Sequence, residues 1–128
     1  PDHVDSLVPF MRTVVFCSGK FFYELRKERK ERKANVVLVR VEELAPFPTE
    51  ALQAQIARYP NAKRFFWVQE EPQNMGAWNY VEPRFRNFLG LEVTPVTPLP
   101  LGGSAVGSSD IHKQVTKDLL DQIFTITK

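Results

Sequence analysis

The stretch "FFWVQEEPQNMGAWNYVEPRF", Phe65 to Phe85, decides how the rest of the chain is read. It begins as an unbroken apolar run, turns through two acids and two amides, and re-emerges as aromatics at helical spacing. Phe65 to Gln69 has the length and composition of a buried strand. Trp78, Val81, Phe85 and Phe88 then recur at three, four and three, the period of a helix face. Pro83 restricts that helix to a start near Glu82, or kinks it. Between strand and helix lie Glu70, Glu71, Asn74, Gly76 and Trp78, a polar turn at a strand's carboxyl end.

The same alternation extends in both directions. Arg12 to Cys17 ("RTVVFC") is a short buried strand that stops at Ser18-Gly19, and a helix follows from Lys20 to about Lys33. Phe21, Phe22 and Leu25 give that helix an apolar face only in its first half, because "RKERKERK" is wholly charged. Its opposite charges at Glu28/Arg32 and Lys27/Glu31 are four apart and become neighbours on a helix. Val36 to Val41 is the second strand, and "APFPT" turns the chain to Thr49, a suitable N-cap. The next helix carries Leu52, Ile56 and Tyr59 on one face and ends at Pro60-Asn61. Beyond the central stretch, Glu92 to Thr97 reads as a strand that Pro95 confines to a sheet edge. A loop rich in Pro, Gly and Ser runs from Pro98 to Ser109, and a last helix aligns Ile111, Val115, Leu119 and Ile123.

This pattern predicts an α/β fold: a mostly parallel sheet covered on both faces. Its length of 128 residues is that of one domain, here residues 12–128 behind a polar leader, 1–11. The leader starts Pro1-Asp2, without a methionine, which suggests a piece of something longer. A single cysteine, Cys17, excludes a disulfide framework. A net charge of +2 argues against nucleic acid, and the basic run lacks interleaved aromatics while its acids cancel much of its field. No apolar run has the length of a membrane span.

Ligands of parallel α/β sheets sit at the carboxyl ends of the strands. Three turns fall there: Cys17 to Lys20, Glu42 to Pro48, and Glu70 to Gly76. Adjacent residues leaving a strand point to opposite faces, so Glu70 and Glu71 do not form a carboxylate dyad. Asn74 suits side chain-to-backbone bonding within the turn and Gly76 suits a positive φ. Ser18, Gly19 and Lys20 open a helix and have the makings of an anion contact, with Arg40 as a further basic group. They lack the glycine spacing of a P-loop or a dinucleotide fingerprint. His3 and His112 have no ligand-spaced partners, so no metal site is expected. No catalytic set can be assembled from spacing.

Together, "VVFCSGKFFYELRKER", "VRVEELAPFP", the central stretch and "SAVGSSDIHK" resemble, in order and spacing, the C-terminal domain of the 2-oxoglutarate dehydrogenase E1 component and of the sister 2-oxoadipate dehydrogenase. The resemblance runs from about Arg12 to Phe124. It implies a transketolase-type C-terminal domain, a three-layer α/β/α sandwich with one strand reversed. Thiamine diphosphate and Mg2+ would be held mainly by domains outside this chain. The partners it implies are the enzyme's own N-terminal domains, a second E1 subunit and the E2 succinyltransferase with its lipoyl arm. The turn from Glu70 to Trp78 would pack against the rest of the dimer, without catalytic residues of its own. The full enzyme would work in the mitochondrial matrix of a eukaryote or the cytoplasm of a bacterium. The competing expectation is a free-standing module that binds acyl-CoA or a nucleotide through Ser18, Gly19, Lys20 and Arg40.

Overall fold

In the computed structural model, which describes residues 10–98 and 109–128, four strands and four helices alternate. They are β1 (Thr13–Cys17), α1 (Phe21–Arg32), β2 (Val37–Arg40), α2 (Thr49–Ala57), β3 (Arg64–Val68), α3 (Trp78–Leu89), β4 (Thr94–Val96) and α4 (Ser109–Ile126). The sheet order is β2-β1-β3-β4 and every pairing is parallel. The reversed strand implied by the resemblance is not among the described residues. Neither is the expected loop after Pro98, the Ile111 side chain, His3 or most of "SAVGSSDIHK". No helix among the described residues is long and apolar enough to cross a membrane.

The central strand β1 is buried on both sides, and its side chains divide the interior into two cores. Val14 and Phe16 point into one, with Val37 and Val39 of β2, Trp67 of β3, Leu52 of α2, and Trp78, Val81 and Phe85 of α3. Val15 and Cys17 point into the other, with Phe21 and Leu25 of α1 and Leu119, Leu120, Ile123 and Phe124 of α4. Alternation of side chains across a strand therefore yields three layers: α2 and α3, the sheet, and α1 and α4. Burial pushes the Cys17 thiol up to about 12 against the opposing pull of Arg40, so it is a small neutral core residue.

Several boundaries differ from the sequence pattern. Thr49 is the first helical residue of α2 and Pro48, which has no polar side chain to cap with, holds the cap position, while the Thr49 N–H donates to Phe47 O at 2.8 Å. Helix α3 starts at Trp78 and carries Pro83 inside it. Its first turn closes on Ala77 O, which accepts from Tyr80 and Val81 at 3.0 and 2.9 Å. Pro83 withholds an N–H only from Asn79, an exposed position where water can take the carbonyl. Phe88 is 53% exposed, and Leu89 packs against the core in its place, since a straight helix returns to one face at i+4 as readily as at i+3.

The charged half of α1 also does more than face solvent. Arg32 is held by Glu28 at 2.6 Å and by Asp121 of α4, tying the two helices together. No ion pair between Lys27 and Glu31 is among those of the described residues.

Phe85 is fully buried among Phe16, Phe47 and Trp67, with ring centroids at 4.7, 5.5 and 6.2 Å. Its replacement, Phe85→Ala, should cost about 3–5 kcal/mol in urea denaturation; a loss under about 1 kcal/mol would mean that α3 does not anchor this core.

Candidate functional site

The turn after β3 is organised by Gln69, which the sequence pattern treats only as the strand's last residue. Gln69 is buried, at 5% exposure, and its backbone N–H donates to Val96 O of β4. Its side-chain amide lies inside the turn. Oε1 accepts from Trp67 Nε1 at 2.9 Å and from the backbone N–H of Trp78 at 3.0 Å. Nε2 donates to the carbonyls of Glu71, Pro72 and Met75 at 3.1, 2.9 and 2.8 Å. The orientation follows from the partners: indole and backbone N–H groups only donate, and carbonyls only accept. One amide thus replaces a stretch of ladder, holding the loop's carbonyls and the first free N–H of α3 together.

The remaining turn residues take their places around it. Gly76 has φ +66°, and a Cβ there would stand 2.9 Å from Glu71 Oε1 and 3.1 Å from Glu71 Cβ. The positive φ favours glycine, and a Cβ would in addition make the exposed Glu71 side chain give way. Trp78 is a core residue of α3, and Tyr80 beside it lies under the Arg84 guanidinium, 3.6 Å from its ring centroid. Asn74 is exposed and bonds to no described residue; the side chain-to-backbone role expected of it belongs to Gln69. Met75, 58% exposed, forms the apolar tip.

Glu70 and Glu71 part as expected of consecutive residues. Glu71 folds over Gly76, whereas Glu70 enters a cleft of about 670 Å³ between α1 and α4, lined also by Lys20, Glu24, His112, Lys113 and Thr116. His112 Nε2 stands 3.6 Å from Glu70 Oε2. Partial burial raises the Glu70 pKa despite the pull of His112, with Glu71 and Glu24 adding to the rise. The structure thus joins Lys20 and Glu70 in one cleft. Arg40 does not line it: its Nη1 donates to Tyr23 Oη at 3.0 Å and meets Glu42 at 3.1 Å, at the end of β2. Ser18 and Gly19 (φ +69°) form the turn between β1 and α1 and also stay outside the cleft lining. Among the described residues no three His, Cys, Asp or Glu side chains are grouped to hold a metal.

The family described as 2-oxoglutarate dehydrogenase C-terminal matches residues 6–124. The chain belongs to this family. A 2-oxoadipate dehydrogenase complex component E1 from Danio rerio is 48% identical over a segment covering 90% of this chain and 13% of that protein. The Homo sapiens protein of the same name is 43% identical over 89% of this chain. A 2-oxoglutarate dehydrogenase E1 component from Cupriavidus necator is 38% identical over the whole chain and 14% of its own length. The 2-oxoglutarate dehydrogenase C-terminal chain therefore spans about an eighth to a seventh of these relatives. In three dimensions a split-gene transketolase, described as an inactive beta4 tetramer, superposes with a TM-score of 0.60 over 91% of this chain and 40% of its own, at 14% identity. That likeness shows the fold, the transketolase-like three-layer sandwich of the resemblance.

Two outcomes test the turn of this family member. Gln69→Leu strands the buried Trp67 N–H and three carbonyls, and should cost about 1–3 kcal/mol while raising amide hydrogen exchange from residue 70 to 78. Unchanged exchange there would mean that the amide does not hold the turn. For Glu70, a folded-state pKa above the unfolded value means that the fold favours the neutral acid. Its contribution is complete below the unfolded carboxylate range and is lost as pH rises through the raised value. Glu70→Gln should therefore gain stability relative to the parent as pH rises above the unfolded carboxylate range, from about pH 4 upward, and level off once the raised value is passed. A gap independent of pH would assign the effect to packing.

Proposed function

We propose that this chain serves as the C-terminal domain of a 2-oxo acid dehydrogenase E1, contributing assembly and regulation rather than the reacting groups. The observation that carries the reading is the family match across residues 6–124, in relatives some seven to eight times longer. In the complete enzyme, a 2-oxo dicarboxylic acid is decarboxylated and its acyl group passed to the lipoyl arm of the E2 component. Thiamine diphosphate supplies the electron sink for that chemistry. By the family resemblance, thiamine diphosphate and its Mg2+ belong to the rest of the enzyme, and no step is derived through them.

What this chain's residues do is hold a surface. The Gln69 amide fixes the turn from Glu70 to Trp78, and exposed Met75 presents an apolar contact at its tip. An apolar tip on a backbone pinned at both ends suits packing against the remaining E1 domains and a second E1 subunit. Such a domain acts in the matrix of a mitochondrion or in the bacterial cytoplasm, according to its source.

The substrate is 2-oxoglutarate or its one-carbon-longer homologue. The 2-oxoadipate proteins are 40–48% identical to this chain, against 38% for the 2-oxoglutarate enzyme, which supports 2-oxoadipate as the second reading. The alternative, a stand-alone module for acyl-CoA or a nucleotide, draws on Lys20, which lines the α1/α4 cleft, and Arg40, which is not among that cleft's lining.

Antibody raised against this chain should detect, in source extract, a polypeptide several times longer. Captured on the antibody, that polypeptide should reduce ferricyanide with 2-oxoglutarate or 2-oxoadipate. A band of this chain's own size would overturn the domain reading, and a long polypeptide inert toward both acids would overturn the activity.

A further inference from the structure

At the opposite end of the sheet, where the strands begin, a cleft of about 730 Å³ opens between the start of β1, the start of β3 and the last turns of α1 and α4. Among the described residues its lining includes Arg12, Arg32, Lys33, Arg64 and Lys128, and no Asp or Glu. Phe10, 73% exposed, adds aromatic surface at its edge, whereas Phe124, 3% exposed, only floors it.

The cations are not equally committed. Arg32 is neutralised by Glu28 and Asp121. Arg64 donates to Ile126 O and lies 5.3 Å over the Phe66 ring. Arg12, Lys33 and Lys128 have no acidic partner among the described residues. Part of this charge complements the carbonyl ends of α1 and α4, as basic groups near helix C-termini do. Arg12 lies at the start of a strand, so helix dipoles do not account for it.

We propose that this cleft docks an acidic, apolar-containing segment of a partner protein. A compact phosphate is the poorer occupant: helix N-termini, whose free N–H groups make phosphate cradles, are at the other end of the sheet. Cations spread around a broad cleft, with the exposed Phe10 ring beside them, match carboxylates spaced along a peptide that also carries apolar side chains. Nucleic acid is disfavoured by the small net charge of +2 and by the acids bound to Arg32.

The test is fluorescence anisotropy of the 128-residue chain with a fluorescein-labelled peptide of alternating glutamate and leucine, at low and at moderate salt. Saturable binding that weakens with salt is expected, with a loss of roughly tenfold or more in Arg12→Glu, and likewise in Lys128→Glu. Both positions are exposed, so neither change should disturb the fold, which circular dichroism checks. The same peptide with lysine for glutamate should not bind. Absence of binding at low salt, or equal affinity in both variants and the parent, would overturn the proposal. So would displacement of the peptide by equimolar inorganic pyrophosphate, which would point to a compact anion site. Tighter binding of oligo-dT than of the peptide would assign the cleft to nucleic acid instead.

Discussion

A parallel strand that ends in a loop leaves its last backbone groups and the first N–H groups of the next helix without ladder partners, and the buried amide of Gln69 meets both needs at once. A glutamine is suited to this because it carries donor and acceptor on one planar group long enough to reach across a turn. An acid in its place would repel the three carbonyls, and an aliphatic residue would strand them. The position of Trp78, and through it the start of α3 and the packing of Phe85 on β1, depends on that single side chain. It explains how the helix begins five residues before Pro83 although proline discourages it.

The central stretch carried the fold openly, for reasons of periodicity. β1, β2 and β3 are short apolar runs, α3 and α4 have clear apolar faces, and strand and helix alternate, which restricts a chain of this size to a parallel sheet between helix layers. The quoted motifs carried the family by resemblance, and the match over residues 6–124 agrees with them. What pattern could not show was the work of polar side chains at element ends. Gln69 looked like a strand terminus because nothing in linear spacing distinguishes an amide turned inward from one facing water. Two acids and an asparagine drew notice in its place, and Asn74 proved to be exposed. One signal was available: a polar residue directly following four strand residues of which three are buried has a high desolvation cost, and that cost is met only by internal bonding.

The same limit applies to charge. "RKERKERK" has the composition of a solvated helix face, yet Arg32 reaches α4 and Arg29 donates to Val36 O at 3.4 Å, so the run fastens α1 to its neighbours. Tertiary ion pairs join residues that are far apart in sequence, here 32 and 121, and no local rule anticipates them. By contrast, the divergence of Glu70 and Glu71 was expected from their being consecutive, although both lie in the bend beyond β3 and not in the strand itself.

The two ends of the sheet end up chemically unlike because helices in a parallel α/β fold all run one way. Their N-termini gather at the carboxyl ends of the strands and their C-termini at the amino ends. At the first end the dipoles favour carboxylates, which is where Glu42, Glu43, Glu70 and Glu71 follow the strands. At the second end the dipoles favour cations, and Arg32, Lys33 and Lys128 follow the helices. A fold of this kind therefore acquires charge polarity without selection for a ligand, and helix-end charge is weak ground for assigning a site at either end. The informative charge is the one that the dipoles do not explain. Arg12 is such a charge: it opens a strand, is exposed beside Phe10, and has no acid among the described residues to answer it.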